Sequence, residues 1–364
     1  MKFVPLEKWP GFNNDTYVIA GPCSAESREQ VLQTAEEISK LPQKIKIFRA
    51  GIWKPRTRPN SFEGVGEAGL PWMEEVKEKY GFLTTCEVAN ARHVEAALKH
   101  NIDILWIGAR TTANPFSVQE IADRLRGIDI PVMVKNPMSP DIALWIGAME
   151  RLHVVGINKI AAIHRGFSVD GKSKYRNRPL WRLPIELKRR HPELPIICDP
   201  SHIAGNRDLL QSVCQKALDV DIDGLMIETH INPDVALSDA AQQVTPANLG
   251  EMLSTLDKKS TFCSDKQFEE ELEELRAQID RVDSELIEAL AARMKIATEI
   301  GKAKSAAHVT PLQMNRMSDL MDRRTKFAKS LGLSENYIQE LYQIIHSESV
   351  KIQTELQEDL KKNS

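Results

Sequence analysis

The chain has 364 residues, enough for two domains or for one large barrel with an appendage. A net charge of -3 with 27% charged residues excludes a broad cationic surface for nucleic acid, and no run nears the roughly 18 apolar residues of a membrane span. Cys23, Cys86, Cys198, Cys214 and Cys263 are odd in number, widely spaced and without a CxxC pair, and the start MKFVPLEKWPG has no apolar signal segment, so reduced thiols in a cytoplasmic protein are expected.

Eight short apolar runs follow one another in the first two thirds of the chain. They are TYVIA (16–20), IKIFRA (45–50), FLTTCE (82–87), DILWIGA (103–109), PVMVK (131–135), KIAAI (159–163), PIICD (195–199) and GLMIE (224–228). Amphipathic stretches such as REQVLQTAEEISKL (28–41) and ARHVEAALKH (91–100) lie between them. A strand and a helix repeating at intervals of about thirty residues predict a (β/α)8 TIM barrel. The rival, an open doubly wound sheet, wants a GxGxxG loop after its first strand, and GPCSAES (21–27) has none.

Turn-forming sequence stops near residue 260. All glycines but Gly301 and Gly332, all prolines but Pro311 and every tryptophan precede residue 265. The expected division is therefore 1–260 for the barrel and 261–364 for an all-α, three-helix domain. A capping box from Ser264 to Gln267 opens its first helix. Leu275, Ile279, Val282, Leu286 and Leu290 recur at helical spacing along it, and at about 1.5 Å per residue it would reach roughly 60 Å. Thr310-Pro311 reads as the start of a second helix, Gly332 as its stop, and a third helix is expected from about Asn336 to Leu360. So long a first helix cannot bury its apolar face alone, which predicts a homodimer through this domain.

Chemistry in a (β/α)8 barrel gathers at the carboxyl ends of the strands. Those ends carry Cys23, Arg49, Glu87, Arg110, Lys135, Arg165, His202 and Glu228, with Asp239 in the last loop. Taken singly, Cys23 reads as a small buried hydrophobe and His202 as a partner for a loop carbonyl. Together at one mouth, Cys23, His202, Glu228 and Asp239 suit a divalent metal ion, and Mn, Fe, Co and Zn all remain open. Arg49, Lys54, Arg56, Arg110, Lys135 and Arg165 form a cationic set, which calls for phosphorylated ligands.

GPCSAES, KPRT (54–57) with SFEG (61–64), IGAR, HRG, DPSH and ALSDAAQQ (236–243) together resemble 3-deoxy-D-arabino-heptulosonate 7-phosphate (DAHP) synthase of the short microbial branch. The resemblance implies condensation of phosphoenolpyruvate with erythrose 4-phosphate on a divalent metal. It makes Cys23, His202, Glu228 and Asp239 the metal ligands, and Arg110, Lys135 and Arg165 a phosphoenolpyruvate clamp with Arg49 and Lys54 nearby. Arg56 and Thr57 would hold the aldose phosphate, and Lys54 would protonate the new alkoxide. Arg58 and Asn136-Pro137 depart from the common family pattern. A 3-deoxy-octulosonate 8-phosphate synthase using arabinose 5-phosphate is the nearest rival; that family reads KANRS at KPRT.

LRAQIDRVDSELIEALAARMKIATEIGKAK (275–304), continuing to SESVKIQ (347–353), resembles a small all-helical chorismate mutase. The resemblance implies chorismate as substrate and assigns Arg293, Arg316 and Ser349 to binding. Arg276 would reach into the partner's site. Lys304 and Gln353 would serve the ether oxygen, where charge builds in the rearrangement to prephenate. Gln313 and Met317 stand where relatives carry aspartate and glutamate. The domain is thus an active mutase, or a regulatory module that reports prephenate or chorismate to the barrel.

Overall fold

The computed structural model describes residues 1–12, 17–54, 62–171, 173–259, 265–310, 312 and 314–362, with backbone alone for 314–317, 319 and 359–362. It divides into two compact units, Met1–Thr261 and Phe262–Ser364.

In the first unit the eight apolar runs are the strands β1 (Val18–Gly21), β2 (Ile47–Arg49), β3 (Leu83–Val88), β4 (Ile104–Ile107), β5 (Val132–Lys135), β6 (Ile160–His164), β7 (Ile196–Cys198) and β8 (Gly224–Glu228). Each pairs in parallel with the next, and β8 closes on β1 through Val18–Leu225 and Gly21–Glu228, making a closed barrel. Outside them run α1 (Arg28–Ser39), α2 (Leu70–Tyr80), α3 (Ala91–Lys99), α4 (Ala109–Thr112) and α5 (Pro115–Arg124). Then come α6 (Ile142–Val154), α7 (Arg182–Arg190), α8 (Pro200–Ala204), α9 (Leu210–Asp219) and α10 (Pro246–Thr255). The strands are buried on both faces, as a sheet covered by helices requires, which is why they read as continuous apolar runs.

Two apolar clusters lie on opposite faces of the sheet. Val18, Ala20, Phe48, Leu105, Val132, Val134 and Leu225 pack outward on the helices, while Ile19, Ile47, Trp106, Met133, Ile163, Ile197 and Met226 fill the barrel, with Leu6, Trp9 and Phe12. Side chains alternate along a strand, so residues two apart share a face. The residues two places after Ile47, Met133 and Met226 are Arg49, Lys135 and Glu228, which therefore turn into the barrel mouth.

The second unit is three helices, α11 (Lys266–Ala306), α12 (Met314–Ser330) and α13 (Glu335–Lys362). Two details differ from the sequence reading. The N-cap of α11 is Asp265, whose carboxylate accepts the N–H groups of Gln267 and Phe268; a carboxylate one residue nearer the helix takes the role read for Ser264, which lies outside the described residues. Thr310 does not open α12, whose first residue is Met314. His308 is left-handed (φ 52°) and Val309 N–H returns to the Lys304 carbonyl, so the chain completes a turn on the end of α11 before helix resumes. Gly332, at φ 80°, ends α12 as expected.

Candidate functional site

Gly21 opens the loop that carries Cys23. At φ 143° a Cβ there would stand 2.1 Å from the Arg49 carbonyl oxygen, so only glycine lets β1 and β2 close at this level. Two residues on, Cys23 is fully buried, with its N–H donating to Gln243 Oε1 at 2.9 Å. Its Sγ lies 3.3 Å from Asp239 Oδ2 and 2.8 Å from Lys54 Nζ. Cys23, Glu228 and Asp239 each offer one atom to a group spanning no more than 4.8 Å.

His202 falls outside that three-residue group but stands at its edge beside Glu228, held there by Asp199, the N-cap of α8. Asp199 accepts the His202 backbone N–H and pairs with Nδ1 at 2.8 Å, leaving Nε2 3.8 Å from Glu228 Oε1. With Nδ1 donating to a carboxylate, Nε2 carries the lone pair. Burial pushes the His202 pKa down despite Asp199, which favours the neutral imidazole a metal needs.

Burial favours the neutral acid at Glu228, but its neighbours His202, Arg49 and Lys54 outweigh it and hold its pKa below the usual carboxylate value. Its Oε1 accepts no hydrogen bond, although Arg49 Nη2 stands 3.4 Å away. Asp239 likewise lies below the usual carboxylate range: burial opposes its charge, and Arg176 and His202 overcome that. Burial first, then the Glu228 carboxylate, push the Cys23 thiol up to about 12, with Lys54 and Arg49 opposing. A buried thiol, two carboxylates and an oriented imidazole, with one buried carboxylate oxygen accepting no hydrogen bond, fit a divalent cation.

Around this group runs a cationic rim. Lys54, Arg110, Lys135 and Arg165 line one cleft with His202 and Asp239, and Glu87 and Arg176 complete its wall. Lys135 is almost buried and 2.7 Å from Asp199 Oδ2; Arg165 Nη1 donates to Asn177 Oδ1 at 2.9 Å. Arg49 is placed differently. It is 1% exposed, lies 4.9 Å over the Trp106 ring and donates to the Cys23 carbonyl, so it sits beneath the site. Arg56 and Thr57 lie outside the described residues.

The sequence reading passed over Asp199, Arg176, Asn177 and Gln242. Asp199 carried a signal, since it falls two residues after the inward Ile197. The other three lie in loops with no periodicity to place them.

The helical unit holds a second polar group. Arg293 on α11 donates to Ser349 Oγ and to the Ile345 carbonyl of α13. Ser349 and Gln353 are buried one turn apart on α13, and Gln353 Oε1 accepts no hydrogen bond. A Cβ on Gly301 would lie 3.0 Å from Gln353 Cγ, so the glycine lets the two helices approach there. Burial pushes the Lys304 pKa down. Arg276 is on the exposed surface of α11, paired with Glu273 at 2.5 Å. The Arg316 side chain and Gln313 lie outside the described residues.

Comparison with known proteins accounts for both units. Residues 7–264 match the model of the DAHP synthetase I family, and residues 275–354 that of chorismate mutase type II. A phospho-2-dehydro-3-deoxyheptonate aldolase of Thermotoga maritima is 33% identical over 241 residues, 66% of this chain and 69% of that protein. A 2-dehydro-3-deoxyphosphooctonate aldolase of Vesicomyosocius okutanii is 27% identical over 293 residues, 73% of this chain and 99% of that protein. Among solved structures, a DAHP synthase of Thermotoga maritima superposes with a TM-score of 0.61 at 30% identity, covering 70% of this chain and 71% of that one. The chain therefore belongs to the DAHP synthetase I family and continues into a chorismate mutase type II domain, which makes it a bifunctional enzyme, a transferase joined to an isomerase.

Proposed function

We propose that the barrel condenses phosphoenolpyruvate with erythrose 4-phosphate to DAHP and phosphate, on a divalent metal held by Cys23, His202, Glu228 and Asp239. The observation that carries this reading is the meeting of Cys23, Glu228 and Asp239 within 4.8 Å beside a cleft lined by Lys54, Arg110, Lys135 and Arg165. A divalent cation held there, whether Mn, Fe, Co or Zn, would supply Lewis acidity toward the aldehyde oxygen.

The chain's own residues do the rest. Arg110, Lys135 and Arg165 hold the phosphate and carboxylate of phosphoenolpyruvate and fix its C3 toward the aldehyde carbon. As the carbon–carbon bond forms, Lys54 gives a proton to the aldehyde oxygen. Burial works against the Lys54 charge, yet its neighbours, the Glu228 and Asp239 carboxylates among them, raise its pKa, so it stands as an ammonium donor. Water adds at C2 and phosphate leaves, its charge met by the same cations. Arg56 and Thr57 hold the aldose phosphate.

The helical unit rearranges chorismate to prephenate. Arg293, Arg316 and Ser349 bind the carboxylates, Arg276 contributes from a second copy, and Lys304 and Gln353 meet the ether oxygen. Exposed Leu275, Ile279, Val282 and Leu286 follow one another at helical spacing on α11, and this apolar stripe supports a homodimer. Prephenate or chorismate bound there would feed back on the barrel.

The test is phosphate release from phosphoenolpyruvate with each aldose in turn. Release with erythrose 4-phosphate and none above background with arabinose 5-phosphate supports the reading, and the reverse preference contradicts it. Loss of chorismate absorbance in the same preparation tests the second activity.

A further inference from the structure

The loop between β6 and α7 reaches the ligand group from outside. Arg176 Nη1 lies 3.1 Å from Asp239 Oδ1 and donates to Gln242 Oε1 at 2.6 Å. Gln242 Nε2 in turn donates to Glu228 Oε2 at 2.7 Å. One arginine nitrogen thus joins Asp239 to Glu228 through a single buried amide. The amide has one orientation that serves both ends, oxygen to the guanidinium and nitrogen to the carboxylate. Its bond occupies Oε2 of Glu228, and the oxygen left accepting no hydrogen bond, Oε1, is the one facing His202 Nε2.

The arm that carries Arg176 is anchored at the same place. Asn177 Nδ2 donates to the His202 carbonyl at 2.7 Å, and its Oδ1 accepts from Arg165. Gly205 follows α8 at φ 72°, and a Cβ there would stand 2.4 Å from the Arg176 Cβ, so the glycine lets the arm lie against α8. Asp239 is itself left-handed, at φ 48°, a backbone state that costs free energy and that the Arg176 contact helps to hold.

We infer that Arg176 and Gln242 are positioning residues for the divalent cation: they set the rotation of the Glu228 and Asp239 carboxylates before a cation arrives. The inference rests on the metal reading above. Partners that orient metal ligands are worth about 10- to 100-fold in metal affinity. Neither residue donates to the metal, so their effect falls on affinity and ligand geometry while the ligand set stays whole.

The experiment compares wild type, Arg176→Met and Gln242→Met in the full-length chain. Mn2+ affinity is read by equilibrium dialysis, the ligand field by the visible spectrum of the Co2+-loaded protein, and the fold by melting of the metal-free protein. Arg176 is exposed, so its variant keeps the measurement open should the buried Gln242→Met not fold. The expected result is Mn2+ binding weakened about 10- to 100-fold in either variant and an altered Co2+ spectrum, with metal-free Arg176→Met still melting as a cooperatively folded protein. Equal affinity and an unchanged spectrum in both variants overturn this inference alone. A wild type that takes up no divalent metal overturns the metal reading, and this inference with it.

Discussion

Asn136 Oδ1 accepts the Arg165 backbone N–H at 2.7 Å, while its Nδ2 donates to the Pro137 and Gly166 carbonyls, both at 2.8 Å. This fully buried amide stitches the end of β5 to the loop after β6. Asn136→Ala strands the buried Arg165 N–H and Pro137 carbonyl, each costing about 1–3 kcal/mol, and leaves the Gly166 carbonyl only the 3.5 Å contact from Arg165 Nη1. The expected outcome is a barrel less stable by about 3 kcal/mol or more, with a raised KM for phosphoenolpyruvate. Urea unfolding followed by tryptophan fluorescence measures it, because all six tryptophans lie in the first unit.

Lys135 and Asp199 form a buried pair at 2.7 Å, and Asp199 also orients His202. Burial alone would keep Asp199 protonated; His202 and Lys135 reverse that and hold its carboxyl well below the usual range. Removing one partner of such a pair costs about 3–5 kcal/mol. Lys135→Met is therefore expected to lower both barrel stability and phosphoenolpyruvate binding, and retention of both in unfolding and binding assays would count against the pair.

The eight strands were legible because parallel barrel strands are apolar on both faces and stand out as runs. Alternation carried the inward residues Arg49, Lys135 and Glu228 for the same reason. What the sequence hid depends on contacts far along the chain: Gln242 meets Glu228 and Arg176, and Asn177 meets Arg165 and His202, from loops without a period. The start of α12 lies at Met314, past the Thr310-Pro311 signal, because the chain first completes the turn at His308, which that signal does not report.

The proposed function places the two activities on separate residues. Lys304→Ala and Gln353→Ala are each expected to cut chorismate turnover by at least about 100-fold, since the charge building at the ether oxygen loses a donor. Phosphoenolpyruvate consumption should stay at the wild-type rate. If prephenate still slows condensation in Lys304→Ala, binding and turnover in the helical unit are distinct; chorismate turnover at the wild-type rate in both variants would exclude these residues from the reaction.

His164 gives the barrel an acid limit. It is fully buried between Phe167 and Trp181, and burial first, then the Arg165 charge, push its pKa down to about 3. The unfolded chain takes up its proton near pH 6.5 and the folded barrel only near 3. Between those values the unfolded state holds more protons, so stability falls as pH falls, by up to about 1.4 kcal/mol per unit from this group. His164→Leu should flatten that limb in fluorescence-detected unfolding, and an unchanged slope would assign the limb to other groups.

In the proposed function, Cys23, His202, Glu228 and Asp239 hold a metal on which condensation depends. The most direct measurement strips the protein with chelator, counts residual metal, and follows phosphoenolpyruvate consumption with erythrose 4-phosphate as Mn2+ is returned. The expected result is no condensation in the stripped protein, recovery at one equivalent per chain, no recovery in Cys23→Ala, and chorismate rearrangement unaffected throughout. Full condensation by protein without measurable divalent metal would contradict it.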